Sequence, residues 1–227
     1  MQAPAKAYLA FVTILGVTLV AASMLLTPAP LVEPVKFLHC AALAAIASTF
    51  KVRLPGMPGS ISTSFVLFLI AISQLPLPEV LLLTIPAAVV QSLWRTTRRP
   101  PAIRIVFNVC ATLVNTTIAA LFYFAALNKG GIILAIVLAS ISFFAVGSLL
   151  VSGAVSLTKS VPLGQVWRQC DRWALPYYVG GAMLAVLVAV QAQSQGLHRA
   201  LAMLTALYLL YVWFDVQMAA MKDQRTA

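Results

Sequence analysis

Polar side chains are rare inside the long apolar segments of this sequence, so the few that occur there are the first candidates for chemistry. One segment carries the polar residues Asn108, Thr112, Asn115 and Thr116. The last three follow Asn108 at four, seven and eight residues, which would place all four on one face of a helix as a polar stripe. Such amides and hydroxyls can hydrogen-bond a ligand. They also bond neighbouring helices inside membranes, at about 0.6–2 kcal/mol each. Both interpretations, a ligand-facing stripe and interhelical packing, stay open.

Two ionisable residues also lie within apolar segments, where a charge is costly and is by default a functional candidate. His39 lies near one end of its segment, and Asp215 lies about two helical turns before a polar tail. Tyr211 shares a helical face with Asp215, so an inward-pointing carboxyl group would have a tyrosine beside it. The simpler interpretation places both ionisable residues at the membrane interface, with Asp215 paired to a nearby Arg or Lys.

The sequence contains no recognisable catalytic constellation. Its five acidic residues are scattered, its two histidines are far apart, and it has no phosphate-binding loop and no Gly-x-Ser-x-Gly motif. Cys40, Cys110 and Cys170 are too dispersed for a disulfide framework or a metal site. We therefore expect a protein that is not an enzyme and has no metal and no cofactor. An intramembrane enzyme that uses Asp215 or His39 is the least favoured alternative.

The composition is that of an integral membrane protein. Of the 227 residues, 62% are hydrophobic and 9% are charged, and the mean hydropathy is +0.98. Globular domains carry roughly 25% charged residues, and a soluble core of this size cannot enclose so much apolar surface. Because a helix satisfies its own backbone hydrogen bonds in lipid, the expected fold is an all-α, polytopic helix bundle that forms a single membrane domain over residues 1–227.

Eight apolar segments are candidate transmembrane helices. They span residues 8–26, 35–50, 61–75, 80–94, 103–127, 132–157, 174–191 and 197–221. The second and third are short for a hydrocarbon core of about 30 Å, so a re-entrant pair, and six spans in total, stays open. Turns are expected at residues 51–60 and 128–131. A partly polar connector, with Trp167 and Trp173 at the headgroups, is expected at residues 159–172.

The basic residues indicate the orientation of the bundle. If the N-terminus is cytoplasmic, twelve of the fifteen fall on the inside and three on the outside. The inside set is Lys6, Lys51, Arg53, Arg95, Arg98, Arg99, Arg104, Lys159, Arg168, Arg172, Lys222 and Arg225, and the outside set is Lys36, Lys129 and Arg199. The pattern predicts that both termini are cytoplasmic. It also accounts for the net charge of +10 without nucleic-acid binding.

The densest charge in the chain follows the fourth apolar segment. Pro100 and Pro101 prevent a continuous helix there, because proline lacks a backbone donor and clashes with the preceding turn. Four arginines surround this break: Arg95, Arg98, Arg99 and Arg104. They anchor the topology at the lipid headgroups, and they are also the candidate surface for anionic headgroups or an acidic partner.

Two groups of small residues predict close helix packing. One is a stripe at spacings of three or four residues, Ala145, Ser148, Ser152 and Ser156, and the other is the pair Gly180-Gly181. We expect contacts within the chain, and a homodimer is the alternative.

Three stretches, taken in order, carry a family resemblance. The first is Lys51-Val-Arg-Leu-Pro-Gly followed by Gly59-Ser-Ile-Ser-Thr-Ser-Phe-Val; the second is Gln91-Ser-Leu-Trp-Arg with Arg99-Pro and Phe107-Asn108; the third is Trp173-Ala-Leu-Pro-Tyr-Tyr-Val-Gly-Gly-Ala. Together they resemble the multi-span N-terminal membrane-associated sensor modules of bacterial GGDEF and HD-domain signalling proteins. The resemblance implies a multi-pass protein of the bacterial inner membrane. In that class a cytoplasmic output domain follows the module, and this sequence has none.

We therefore expect a stand-alone sensory or scaffold module that binds a small or lipid-soluble signal and couples to a cytoplasmic signalling protein. No cyclase or phosphohydrolase activity carries over from the resemblance. The alternative is a small-molecule transporter component of the vitamin-uptake kind, since short spans broken by prolines can expose backbone groups to a substrate.

Overall fold

The computed structural model describes residues 3–27, 34–53, 60–94, 96, 100–192, 208–213 and 216. Within them the chain is helical apart from one short β-hairpin, which confirms the predicted all-α class. The elements are α1 (Ala3–Leu26), α2 (Pro34–Ala47), β1 (Lys51–Arg53), β2 (Ser60–Ser62), α3 (Ser64–Gln74), α4 (Leu77–Leu93), α5 (Ala102–Lys159) and α6 (Leu163–Ala192). Residues 208–213 are also helical and are called the 208–213 segment below.

The 58-residue element α5 is two helices joined at a glycine pair. Gly130 and Gly131 have non-helical backbone angles, and the φ of 71° at Gly131 is a left-handed value that glycine adopts without steric cost. The two arms are residues 102–129 and 132–159. Asn115 on the first arm lies against Gly147 on the second, and each is sixteen residues from Gly131, so the arms run antiparallel. This confirms the turn that the sequence predicts here.

Helix α3 is the centre of the bundle. Nine consecutive residues, from Ser64 to Ile72, are each at most 4% exposed, so every face of this helix is covered. A helix that is apolar on all sides is covered either by other elements or by lipid, and here it is covered by other elements. In this fold α2, α4, both arms of α5 and α6 enclose it, and Tyr123, Phe143 and Tyr177 belong to the same core.

Helix α1 packs on α5 through close contacts at two levels. At Gly16, a Cβ atom would lie 2.8 Å from the Cβ of Cys110, so only a glycine allows this approach. Nearer its N-terminus, the hydroxyl of Tyr8 donates a hydrogen bond to the carbonyl of Leu150 over 3.0 Å. The same hydroxyl would lie 2.8 Å from a Cβ atom at Gly153. The first two turns of α1 therefore lie beside the last turns of the second arm.

The small residues that the sequence singles out make contacts within the chain. Ser152 is fully buried, and its neighbours in the stripe, Ala145, Ser148 and Ser156, are half-buried. In α6, Gly181 lies directly against Phe65 of α3, and Gly180 faces Leu210 of the 208–213 segment. These contacts agree with packing inside one chain, and the homodimer stays a prediction.

Two boundaries differ from the sequence-based prediction. The span predicted over residues 61–75 begins only at Ser64, because residues 60–62 pair with residues 51–53 as an antiparallel hairpin. The connector predicted over residues 159–172 is not a separate element. Ser160, with a φ of 55°, ends α5, and α6 then runs without interruption from Leu163 through the predicted seventh span.

Within the described ranges, three helical stretches are long and apolar enough to cross a membrane: Ala3–Leu26, Ala102–Lys159 and Ala174–Ala192. The helices α2, α3 and α4 are apolar but contain only 14, 11 and 17 residues. At 1.5 Å per residue, α3 is about 16 Å long, roughly half of the hydrocarbon thickness. The structure therefore supports a membrane-embedded helical protein.

The substitution Gly16→Ala tests the packing of α1. The added methyl group would meet the backbone and Cβ of Cys110, and overpacking of this kind costs about 1–3 kcal/mol. We expect a lower unfolding temperature in detergent, measured by differential scanning fluorimetry. Gly164→Ala is the matched control, because nothing lies within 4 Å of the added Cβ atom. Equal unfolding temperatures for the two variants would contradict this account of the α1 interface.

Candidate functional site

The β-hairpin is fastened to the end of α2. Strands β1 and β2 pair in the register Lys51 with Ser62 and Arg53 with Ser60. At the base of the hairpin, the hydroxyls of Ser62 and Thr63 donate to the carbonyl of Ala47 over 3.2 and 2.8 Å. The last carbonyls of a helix lack partners within the helix, so these two side chains cap α2.

The hairpin is also bonded to the end of α4. The ammonium group of Lys51 donates to the backbone carbonyl of Trp94 over 2.6 Å, and Trp94 is the C-terminal cap of α4. A cation at a helix C-terminus is stabilising by about 0.3–1 kcal/mol. The hairpin therefore lies beside the end of α4. The chain continues from there into residues 95–104, which contain the four arginines and are called the arginine stretch below. Arg104 is exposed in the first turn of α5, while Arg95, Arg98 and Arg99 lie outside the described residues.

The 208–213 segment packs on the same end of the bundle. Phe50, between α2 and β1, stacks on Tyr211 with ring centroids 5.4 Å apart, and it meets Tyr208 edge-on at 6.0 Å. Tyr211 is thus half-buried against Phe50. Phe50 and the hairpin together are called the hairpin region below. Its predicted partner Asp215 lies outside the described residues.

A second aromatic contact joins α3 to α6. The ring of Phe65 lies 4.5 Å from that of Tyr178 and 5.5 Å from that of Tyr177. Tyr177 is completely buried in the core that surrounds α3. Phe65 is the second residue of α3, so this aromatic contact places α6 beside the first turn of α3, next to the base of the hairpin.

The predicted polar stripe on α5 passes from the surface into the core. Asn108 is exposed and donates to the hydroxyl of Ser92 over 3.4 Å, and Thr112 is half-buried. Asn115 is 5% exposed and Thr116 is fully buried. The structure thus brings Asn115 against the second arm, where its amide nitrogen faces Gly147.

The two inner residues have hydrogen-bonding groups without partners. Within the part of the chain that the structure describes, neither Oδ1 of Asn115 nor Oγ1 of Thr116 accepts or donates a hydrogen bond. Burying such a group unpaired costs about 1–3 kcal/mol, so an unpaired buried group requires an explanation.

The predicted residue His39 belongs neither to the contacts around the hairpin nor to the polar stripe on α5. It is exposed in the second turn of α2, whereas Phe50 and Tyr211 meet beyond the other end of that helix. The structure therefore places His39 and Tyr211, two separate candidates of the sequence analysis, at different ends of α2.

Sequence reasoning missed a buried carboxylate. Glu79 lies in the first turn of α4 and is only 4% exposed, and Cys40 of α2 is within electrostatic reach of both Glu79 and Lys36. The surrounding Leu-Pro-Leu-Pro-Glu stretch predicts a break between spans. Proline in the first turn followed by an acidic residue is, however, also a helix-start signal, and that signal was available.

Among the described residues, no group of three or more His, Cys, Asp or Glu side chains is arranged to hold a metal ion. No family model, no curated protein and no solved structure matches this chain.

Proposed function

We propose that this chain is a sensory or scaffold module of the bacterial inner membrane. It binds a small or lipid-soluble signal and couples to a cytoplasmic signalling protein, and it catalyses no reaction. One observation carries the proposal: the β-hairpin region contacts both the end of α4, which leads into the arginine stretch, and the 208–213 segment. The resemblance to membrane-associated sensor modules supports the same role.

The contacts around the hairpin form a continuous physical route between these two regions. Lys51 holds the carbonyl of Trp94, and its neighbour Phe50 stacks on Tyr211. Energetic coupling between distant sites travels through such chains of packed and hydrogen-bonded groups. A signal that displaces the hairpin would therefore change the position of the 208–213 segment and the exposure of the arginine stretch together. Those arginines are suited to an acidic partner surface or to anionic headgroups.

The proposal includes eight spans with both termini in the cytoplasm. The bond from Lys51 to Trp94 supports full crossing by α2 and α3, since it brings the start of β1, between these two helices, level with the end of α4. The antiparallel arms of α5 support the charge pattern, because Arg104 and Lys159 lie at one end and Lys129 at the other. A re-entrant α2–α3 pair, with six spans, is the alternative.

Labelling of single cysteines tests this topology. In a variant with its three native cysteines replaced, we place one cysteine at Lys6, Lys129 or Lys159, which are all exposed. A membrane-impermeant maleimide added to intact cells should modify only position 129. Positions 6 and 159 should react only after the membrane is opened. Modification of position 6 or 159 in intact cells would contradict the proposed orientation.

A transporter component is the second candidate function. The hairpin places a stretch of non-helical backbone between the short helices α2 and α3. Many transporters use such a break between short helices to expose backbone groups to a substrate. This function requires an energising partner. Association with an ATPase pair, rather than with a signalling protein, would support it.

Native mass spectrometry of the protein extracted gently from its own membrane tests the proposed function. We expect one small molecule at fixed stoichiometry and a retained cytoplasmic chain. Phe50→Ala removes the stacking on Tyr208 and Tyr211, so this variant should keep the small molecule and lose the cytoplasmic chain.

Phe122→Ala is the matched control for that experiment, because Phe122 is an exposed aromatic residue on α5. It should retain both the small molecule and the partner. A wild-type protein that carries only bulk lipid would contradict the binding role. A Phe50→Ala variant that keeps its partner would contradict coupling through the hairpin region.

A further inference from the structure

The first arm of α5 carries a line of polar residues whose exposure decreases along the helix. Arg104, Asn108, Thr112 and Thr116 follow one another at intervals of four residues, which places them on one face. Arg104 and Asn108 are exposed, Thr112 is half-buried, and Thr116 is completely buried. The line therefore leads from the basic end of the bundle into its interior.

Thr116 differs from the other threonines of this arm in its hydrogen bonding. The hydroxyl of Thr112 donates to the carbonyl of Asn108 over 2.7 Å, and that of Thr117 donates to the carbonyl of Leu113 over 2.8 Å. A bond to the carbonyl four residues earlier is the usual way to satisfy a hydroxyl in an apolar helix. Thr116 is more deeply buried than either of them, but it has no partner among the described residues.

Asn115 provides a second unpaired group next to Thr116. Its amide nitrogen faces Gly147, where a Cβ atom would lie 2.9 Å away, and its Oδ1 atom lies 3.9 Å from the same point. Oδ1 is thus turned away from the glycine, and it has no partner in the described part of the chain. A carboxamide oxygen can only accept hydrogen bonds. It therefore requires a molecule that brings an O–H or N–H group.

We propose that Asn115 and Thr116 bind a small, neutral solute with O–H or N–H donors, which reaches them along Asn108 and Thr112. The charge of Arg104 at the outer end disfavours cations, and the acceptor atoms at the inner end disfavour anions. The inference rests on the proposed function, since it gives the chemical class of the signal.

The experiment is cysteine labelling inside the bundle. In a background without the native cysteines, Thr116→Cys and Thr117→Cys are treated with 2-hydroxyethyl methanethiosulfonate, a small neutral reagent that carries a hydroxyl. A thiol reacts as its thiolate, which forms only where water reaches it, so we expect Thr116→Cys to react about tenfold faster. Thr117 is the matched control: it is the adjacent residue, it is 5% exposed, and its hydroxyl bonds its own helix.

One further substitution and a second pair of labelling positions complete the test. Adding Asn115→Leu should slow the labelling of Thr116→Cys, because it removes an acceptor for the solute. If Thr116→Cys does not accumulate in the membrane, Thr112→Cys is compared with Leu113→Cys, whose native residue is 3% exposed. Equal rates within the pair that accumulates would overturn the proposal. The labelling reports only on the stripe, so that result would leave partner binding, measured by native mass spectrometry, as a separate question.

Discussion

The fold depends on one constraint, which is that α3 is enclosed on all sides by other elements of the chain. Its residues from Ser64 to Ile72 have no exposed face, so each neighbouring element must present a packing surface to it. Helices α2, α4, α5 and α6 provide these surfaces. Gly181 permits the closest of these approaches, since α6 lies directly on Phe65 there.

Because α3 begins at the hairpin, the same constraint concentrates contacts at one end of the bundle. Thr63 precedes α3 and caps α2, while Lys51 holds the end of α4. Phe50 adds the 208–213 segment to this group. A short, hydrogen-bonded unit that contacts α2, α3, α4 and the 208–213 segment is well placed to transmit a displacement between them. The proposed sensory role uses this arrangement, and the polar stripe on α5 provides a separate route by which a solute reaches the interior.

Composition and turn chemistry predicted much of this fold, and they failed where burial decides the structure. The apolar content predicted a membrane helix bundle, and Gly130-Gly131 predicted the break in α5. An entirely apolar segment has no periodicity, so the sequence could not show that α3 is enclosed or that its predicted start pairs as a strand. Thr112, Thr116 and Thr117 are chemically identical in sequence, and only their surroundings distinguish the unpaired Thr116. The roles of Arg95, Arg98, Arg99 and Asp215 stay predictions.

The central claim is that the hairpin region couples the end of α4 to the 208–213 segment. Hydrogen–deuterium exchange of the Lys51→Met variant, with Lys6→Met as the control, measures this coupling most directly. The account predicts faster amide exchange in the last turn of α4 and also in residues 208–213, because one bonded unit holds both. Faster exchange at the end of α4 alone, with residues 208–213 unchanged from Lys6→Met, would contradict it.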